Sequence, residues 1–436
     1  MPMNRSKKSR MTESEKVNSI GRIVLFALLV LLLISRFMPN PETALVADDW
    51  YNLARSSFYE TTSEAALTGL QDPNRPLSML AVEMCFRVFG MNSLPWTVIS
   101  ITANITLLLM VSLLGFELTG KKGLALVMGV FFAVTPNLVE TYHWSTQVLN
   151  EVACALVWYA ASAWLWVRHV NRGGITSLLL SVLAYAVALF SYEAGLFLPV
   201  AYVAVIRWRE GFIKGAFRLS PFAIVVLLYA AWRVTDSFGM NQSWHYPAHM
   251  KVGVTVSSII WNVWQLMHWW MGENLLMCIR NGWDGFWLLA PWTRRLLLLG
   301  NAMVVIVLYL CVRFVERDDQ SEERSAVPST RSALLFGVLW VGAAVLPQIV
   351  AYTASRLNVL PAIGVGLLFA MALSRVSVRV WYPFLAVPIL ISLISNQGTT
   401  EQFRQAGEVN RRLYAHLVES RDEWINKDIV VFDTWM

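Results

Sequence analysis

Ile23-Val24-Leu25-Phe26-Ala27-Leu28-Leu29-Val30-Leu31-Leu32-Leu33-Ile34-Ser35-Arg36-Phe37 sets the pattern of this chain, and Val46-Ala47-Asp48-Asp49-Trp50-Tyr51 follows close behind it. A helix crosses roughly 30 Å of hydrocarbon with about 20 apolar residues, and the first segment approaches that length. Segments like it recur along the 436 residues, and 56% of the chain is hydrophobic. Its mean hydropathy is +0.50. Soluble domains hold about 45–50% apolar residues, so the excess points to a bilayer. Backbone polar groups in lipid must be paired within the protein, and these segments are too long for barrel strands. The sequence therefore predicts an all-α, polytopic helical membrane protein.

Further apolar segments read as spans at about 95–118, 123–138, 150–167, 175–191, 194–206, 219–235, 296–312, 332–350, 357–373 and 380–395. With the first, they make about eleven transmembrane helices. Alternate connections carry Lys121-Lys122, Arg168 and Arg172, Arg207 and Arg209, Arg313 to Arg331, and Arg375 and Arg379. The positive-inside rule assigns this set to the cytoplasm, together with a basic arm over 1–21. The transmembrane domain then covers 22–396, with outer-face loops at 39–94 and 236–294 and an extracytoplasmic tail at 397–436. Such clustering also explains the net charge of +6 without a nucleic-acid partner. Cys85, Cys154, Cys278 and Cys311 show no paired spacing, so no disulfide framework or zinc site is indicated. No small-residue cleavage motif precedes Pro39, so the first segment reads as a retained anchor.

Two segments resist the count. Val252 to Met271 is uncharged, with Ile260, Val263, Trp264, Met267 and Trp270 at helical spacing, while Arg280 and Asp284 disfavour a return span. It reads as an interfacial helix on the outer face, followed by a loop. Residues 78–90 are too short to cross and also read as interfacial, with Glu83 and Arg87 paired on the wet face.

The connections opposite the basic set hold Asp48, Asp49, Arg75, Glu140, His143, Glu193 and Arg356. A carboxylate within reach of a hydroxyl serves as a general base, which Asp48 or Asp49 offers. The bland alternative is a solvated turn beside a tryptophan anchor. Two adjacent acids repel, so either one titrates high or a divalent cation sits between them. Arginine holds phosphate through its planar fork, which suits Arg75 and Arg356, although headgroup binding explains either alone. Glu140 and His143 share a helical face, a spacing that also suits metal ligation, but no third ligand is evident. Tyr192-Glu193 interrupts two apolar runs, and an acid that close to lipid is paired, functional or in a tight solvated turn. Eight of the 20 Trp fall between Trp244 and Trp292. Interfacial anchoring explains most of them, while aromatic faces also stack on sugars and isoprenoid chains, so a lipid-donor groove is the alternative for the rest. The chain has no P-loop, no dinucleotide fingerprint and no nucleophile elbow.

The order of these features resembles the GT-C superfamily of membrane glycosyltransferases, closest to its protein O-mannosyltransferase-like branch. Asp48-Asp49, Arg75-Pro76-Leu77, the run from Thr135 to Trp144, Ser191-Tyr192-Glu193 and the run from Ser355 to Gly364 carry the resemblance, which covers about residues 20 to 400. The resemblance implies an inverting transfer of sugar from a polyprenyl-phosphate donor to a protein or glycan hydroxyl on the extracytoplasmic face. In a bacterium that is the periplasmic side of the inner membrane, and a pilin glycosyltransferase has a similar plan. It implies Asp48 or Asp49 as base, Arg75 and Arg356 on the donor phosphate, and Glu140, His143, Trp144 and Glu193 positioning donor or acceptor. The tetratricopeptide array of some members does not follow, which leaves the acceptor open. A lipid-linked glycan flippase is the rival from another class, and an O-antigen ligase or polymerase is a third reading. Flippases place charged sites near the midplane, whereas these candidates sit at helix ends.

Overall fold

The computed structural model describes residues 49, 52, 59–72, 75–90, 92–135, 144–206, 212–238, 255–319, 328–350, 355–374, 376 and 378–419. The first apolar segment, the basic arm, Asp48, Glu140 and His143 lie outside the described residues. Every regular element among the described residues is helical. In chain order these are α1 (Thr62–Leu70), α2 (Pro76–Phe89), α3 (Ser93–Thr119), α4 (Lys122–Val134), α5 (Ser145–Arg172) and α6 (Ile175–Ser191). After a 3₁₀ turn at Glu193–Gly195 come α7 (Pro199–Tyr202), α8 (Phe212–Phe238), α9 (Val256–Met271), α10 (Glu273–Leu288), α11 (Pro291–Asp319) and α12 (Thr330–Val350). A second 3₁₀ turn, Ser355–Asn358, leads into α13 (Val359–Leu373) and α14 (Val378–Glu419).

Among the described residues, four helices are long and apolar enough to cross a membrane: α3, α5, the stretch Pro291–Arg313 of α11, and α12. The segments Lys122–Val134, Ile175–Ser191, Glu193–Val205 and Val359–Leu373 are apolar but shorter. The chain is an integral membrane protein, and its solvent is in large part lipid. That explains Leu179, Leu183, Leu227, Leu299 and Ile306, all exposed on helix surfaces that water would penalise.

Local chemistry sets the helix limits. Asn92 caps α3 by accepting from the Leu94 amide, and Gly120, at φ 67°, ends it in a left-handed turn. Pro76 opens α2, where its missing N–H costs nothing. Gly173 and Gly174, both at positive φ, reverse the chain between α5 and α6, which pack side by side. The core is aromatic where α5, α6, α7, α8 and α12 meet. Tyr202 stacks between Trp166 and Phe336, its hydroxyl donates to Ser162, and Trp166 Nε1 donates to the Tyr202 carbonyl at 3.1 Å.

Two expectations are corrected. Residues 273–288 form a helix rather than a loop. Arg280 and Asp284 both stay exposed, so their charges need no burial, while Gly282 and Gly285 let α14 approach the other face. Glu83 is not on a wet face: it is fully buried, and Arg87 instead donates to the Glu60 carbonyl at 2.9 Å. The four-residue spacing holds, but α2, which packs on α1, α5 and α6, turns its acid inward.

Candidate functional site

The start of α5 organises one end of the bundle. Its N-cap residue, Trp144, offers no side-chain hydrogen bond to the exposed amides. A carboxylate 97 positions earlier does so instead: Asp49 Oδ1 accepts from the Thr146 amide at 2.8 Å and from the Thr146 hydroxyl. Asn52 Nδ2 donates to that hydroxyl at 3.4 Å. Asp49 has no solvent exposure, so its charge is met by the positive end of the helix. The following segment, Val148–Leu156, winds as a π-helix, a form that recurs at functional sites. Gln147, Asn150 and Glu151 are all buried there.

Helix α2 links this region to the end of α6. Near its C-terminus Phe86 packs on Trp96 and Leu149. At its N-terminus Ser78 donates to the Ser191 carbonyl at 2.8 Å. Arg75, just before α2, grips Glu193 with both arms of its fork: Nε to Oε2 at 3.1 Å and Nη2 to Oε1 at 3.1 Å. The guanidinium also lies 3.8 Å from the centre of the Tyr192 ring. Its amide donates to Asp72 Oδ1 at 2.8 Å, which fixes the chain entering α2. Burial by itself would raise the Glu193 pKa. The Arg75 charge and hydrogen bonds, with a smaller contribution from Arg233, overcome it and hold this carboxyl below its ordinary value.

At the start of α13, Arg356 sits in the turn Ser355–Asn358. Buried Asn358 accepts from Trp270 Nε1 at 2.9 Å, and Gln348 of α12 donates to the Leu357 carbonyl at 2.9 Å. Trp270 in turn lines a cavity of about 600 Å³ between α4, α11, α13 and α14. Its walls are almost wholly apolar, including Val127, Phe131, Leu308, Phe369 and Ile389, with Thr135, Tyr382 and Ser392 among the few polar liners.

Of the residues expected from sequence, the structure thus joins Arg75 to Glu193, ties Asp49 to the helix that Trp144 caps, and places the Arg356 turn beside the cavity through Asn358 and Trp270. Thr146 and Arg233 were missed, whereas Trp270 stood in the apolar stripe of α9 and Asn358 in the run from Ser355 to Gly364. Thr146 had a signal, since Thr146, Gln147, Asn150 and Glu151 recur at helical spacing in an apolar span. Among the described residues, no group of three or more His, Cys, Asp or Glu side chains is placed to hold a metal ion. Comparisons of the chain with protein-family models, curated proteins and solved structures return no match.

Proposed function

We propose that this chain is an inverting glycosyltransferase of the GT-C type. It would move a sugar from a polyprenyl-phosphate donor to a protein or glycan hydroxyl on the periplasmic face of a bacterial inner membrane. About eleven spans with a cytoplasmic N-terminus complete the reading. The observation that carries it is a buried carboxylate, Asp49, fixed on a helix N-terminus at the end of the bundle where α2 also holds the Arg75–Glu193 pair. The apolar cavity lined by Trp270, which bonds Asn358 two residues after Arg356, supports a lipid-borne donor.

In this reading Asp49 is the anchor and Asp48 is the base. Oδ1 of Asp49 is committed to Thr146, which leaves Asp48 as the base of the pair. Asp48 takes the acceptor hydroxyl proton as that oxygen bonds to the anomeric carbon. The bond from that carbon to the phosphate oxygen breaks, and polyprenyl phosphate leaves with its charge met by Arg356. Arg75 is engaged by Glu193, so a phosphate would compete with that carboxylate for the same fork. Glu193, Glu140, His143 and Trp144 orient donor or acceptor, and a divalent cation beside the acidic pair belongs to the same proposal.

The test is release of polyprenyl phosphate from a sugar-loaded donor by the purified chain, with the acceptor sought as a mass shift on envelope proteins or glycans when the gene is deleted. Asp48→Asn should lose about 100-fold or more in turnover while folding normally. Full activity in Asp48→Asn, Asp49→Asn and the double variant would sink the reading.

A further inference from the structure

The cavity has a polar end and an apolar length, and both can be measured along α14. From Ser392 to Val380 the lining covers twelve residues, or ~18 Å at 1.5 Å per residue. Thr135 lies toward Ser392, since Asn396 of α14 donates to the neighbouring Val134 carbonyl, and Trp270 is bonded to Asn358 at the start of α13, whereas Val376 and Val380 follow the other end of that helix. Thr135 donates to the Phe131 carbonyl at 2.7 Å and Tyr382 donates to the Val305 carbonyl, while Ser392 and Trp270 stand at the polar end. The walls therefore offer no polar recognition along their length. At the Trp270 end, Asn358 connects to the turn that carries Arg356, two residues and ~4 Å of 3₁₀ rise away. An apolar slot with a cationic turn at one end suits an amphiphile with one chain and one anionic head.

We propose that this slot reads the length of the donor lipid. It would hold about four isoprene units next to the phosphate and leave the rest of the chain in the bilayer. An isoprene unit advances four chain carbons, ~5 Å with bonds of about 1.5 Å, so four units reach ~20 Å, about the length of the slot. Trp270, fixed by Asn358, marks where chain ends and phosphate begins. This rests on the proposed polyprenyl-phosphate donor.

The test measures competition by unglycosylated prenyl monophosphates of two, three, four and seven units against a radiolabelled long-chain prenyl phosphate on the full chain. No sugar or acceptor is needed. Affinity should rise about fivefold or more per unit up to four units, as each buries more apolar surface, and change less than about threefold beyond. Val380→Trp, at the half-exposed far rim, should move the plateau to three units and leave the two-unit lipid unchanged. A rise that continues unabated to seven units, a plateau that Val380→Trp does not move, or dioleoyl phosphatidate competing as well as the four-unit lipid would overturn the proposal. A plateau without any sugar transfer would instead refute only the proposed activity.

Discussion

At Glu193 two opposing effects act on one carboxyl, and the balance predicts a pH dependence. Burial raises the pKa, while the bidentate Arg75 contact lowers it, and the net direction is down. A carboxyl depressed on folding contributes stability above its unfolded value of about 4.3 and loses it as pH falls through the folded value. Wild type should therefore melt above Glu193→Gln at pH 7, by the equivalent of about 1 kcal/mol because the pair is partly solvent-exposed. The two should converge as pH drops below about 4. Thermal unfolding in detergent across that range checks it, and a gap that widens on acidification would contradict it. Two residues on, Gly195 packs against the Tyr159 ring so closely that a Cβ would overlap it. Tyr159 cannot yield freely, since its hydroxyl donates to the Tyr192 carbonyl at 2.6 Å. Gly195→Ala should cost about 1–3 kcal/mol through overpacking and disturb the turn that carries Glu193, seen as lower thermal stability.

Between helices, backbone proximity decides which substitutions matter. Gly282 and Gly285 of α10 meet Gly398 of α14, and a Cβ on Gly398 would overlap the Gly282 carbonyl. Gly398→Ala should force the pair apart and make residues 273–288 more sensitive to limited proteolysis. Gly342 of α12 is the control, because a Cβ there meets nothing within 4 Å. Gly342→Ala should leave proteolysis unchanged and stabilise the helix by up to about 1 kcal/mol. These helices were legible in the sequence wherever an apolar run was long, as in α3, α6 and α12, because burial and lipid exposure demand the same residues. Helix α10 was not, because its charges argue against a span and only the path of α14 shows why its glycines matter. The site divides the same way. Arg75 and Glu193 stood out as charges at helix ends, but their pairing joins positions 118 apart. Glu83 looked solvated by its spacing to Arg87, and only the packing of α2 on α5 reveals that it faces inward.

Across the whole molecule, burial is inverted in places, which follows from a lipid solvent. On α9, Asn262 faces the protein and donates to the Ile349 carbonyl at 2.8 Å, while Ile260, Trp261, Trp264 and Met267 face outward. In water that arrangement would expose a large apolar patch; in lipid it satisfies the amide and solvates the rest. Helix α14 crosses the same boundary along its own length. Its first part holds Pro383, Pro388 and apolar residues, and after Gln397 it continues as a charged helix with Arg404, Glu408 and Arg412. A span count of about eleven with the N-terminus inside requires this second part to emerge on the face that carries Glu60. It also requires Lys121, in the turn between α3 and α4, to lie on the opposite face. Single cysteines at the exposed positions Glu60, Lys121 and Arg411 test this, after Cys85, Cys154, Cys278 and Cys311 are replaced. A membrane-impermeant thiol reagent added outside spheroplasts should label Glu60→Cys and Arg411→Cys, and should reach Lys121→Cys only after lysis. Labelling of Glu60→Cys and Arg411→Cys from opposite sides would make the number of crossings between them odd. It would also remove the C-terminal half of α14 from the face assigned to the acidic pair.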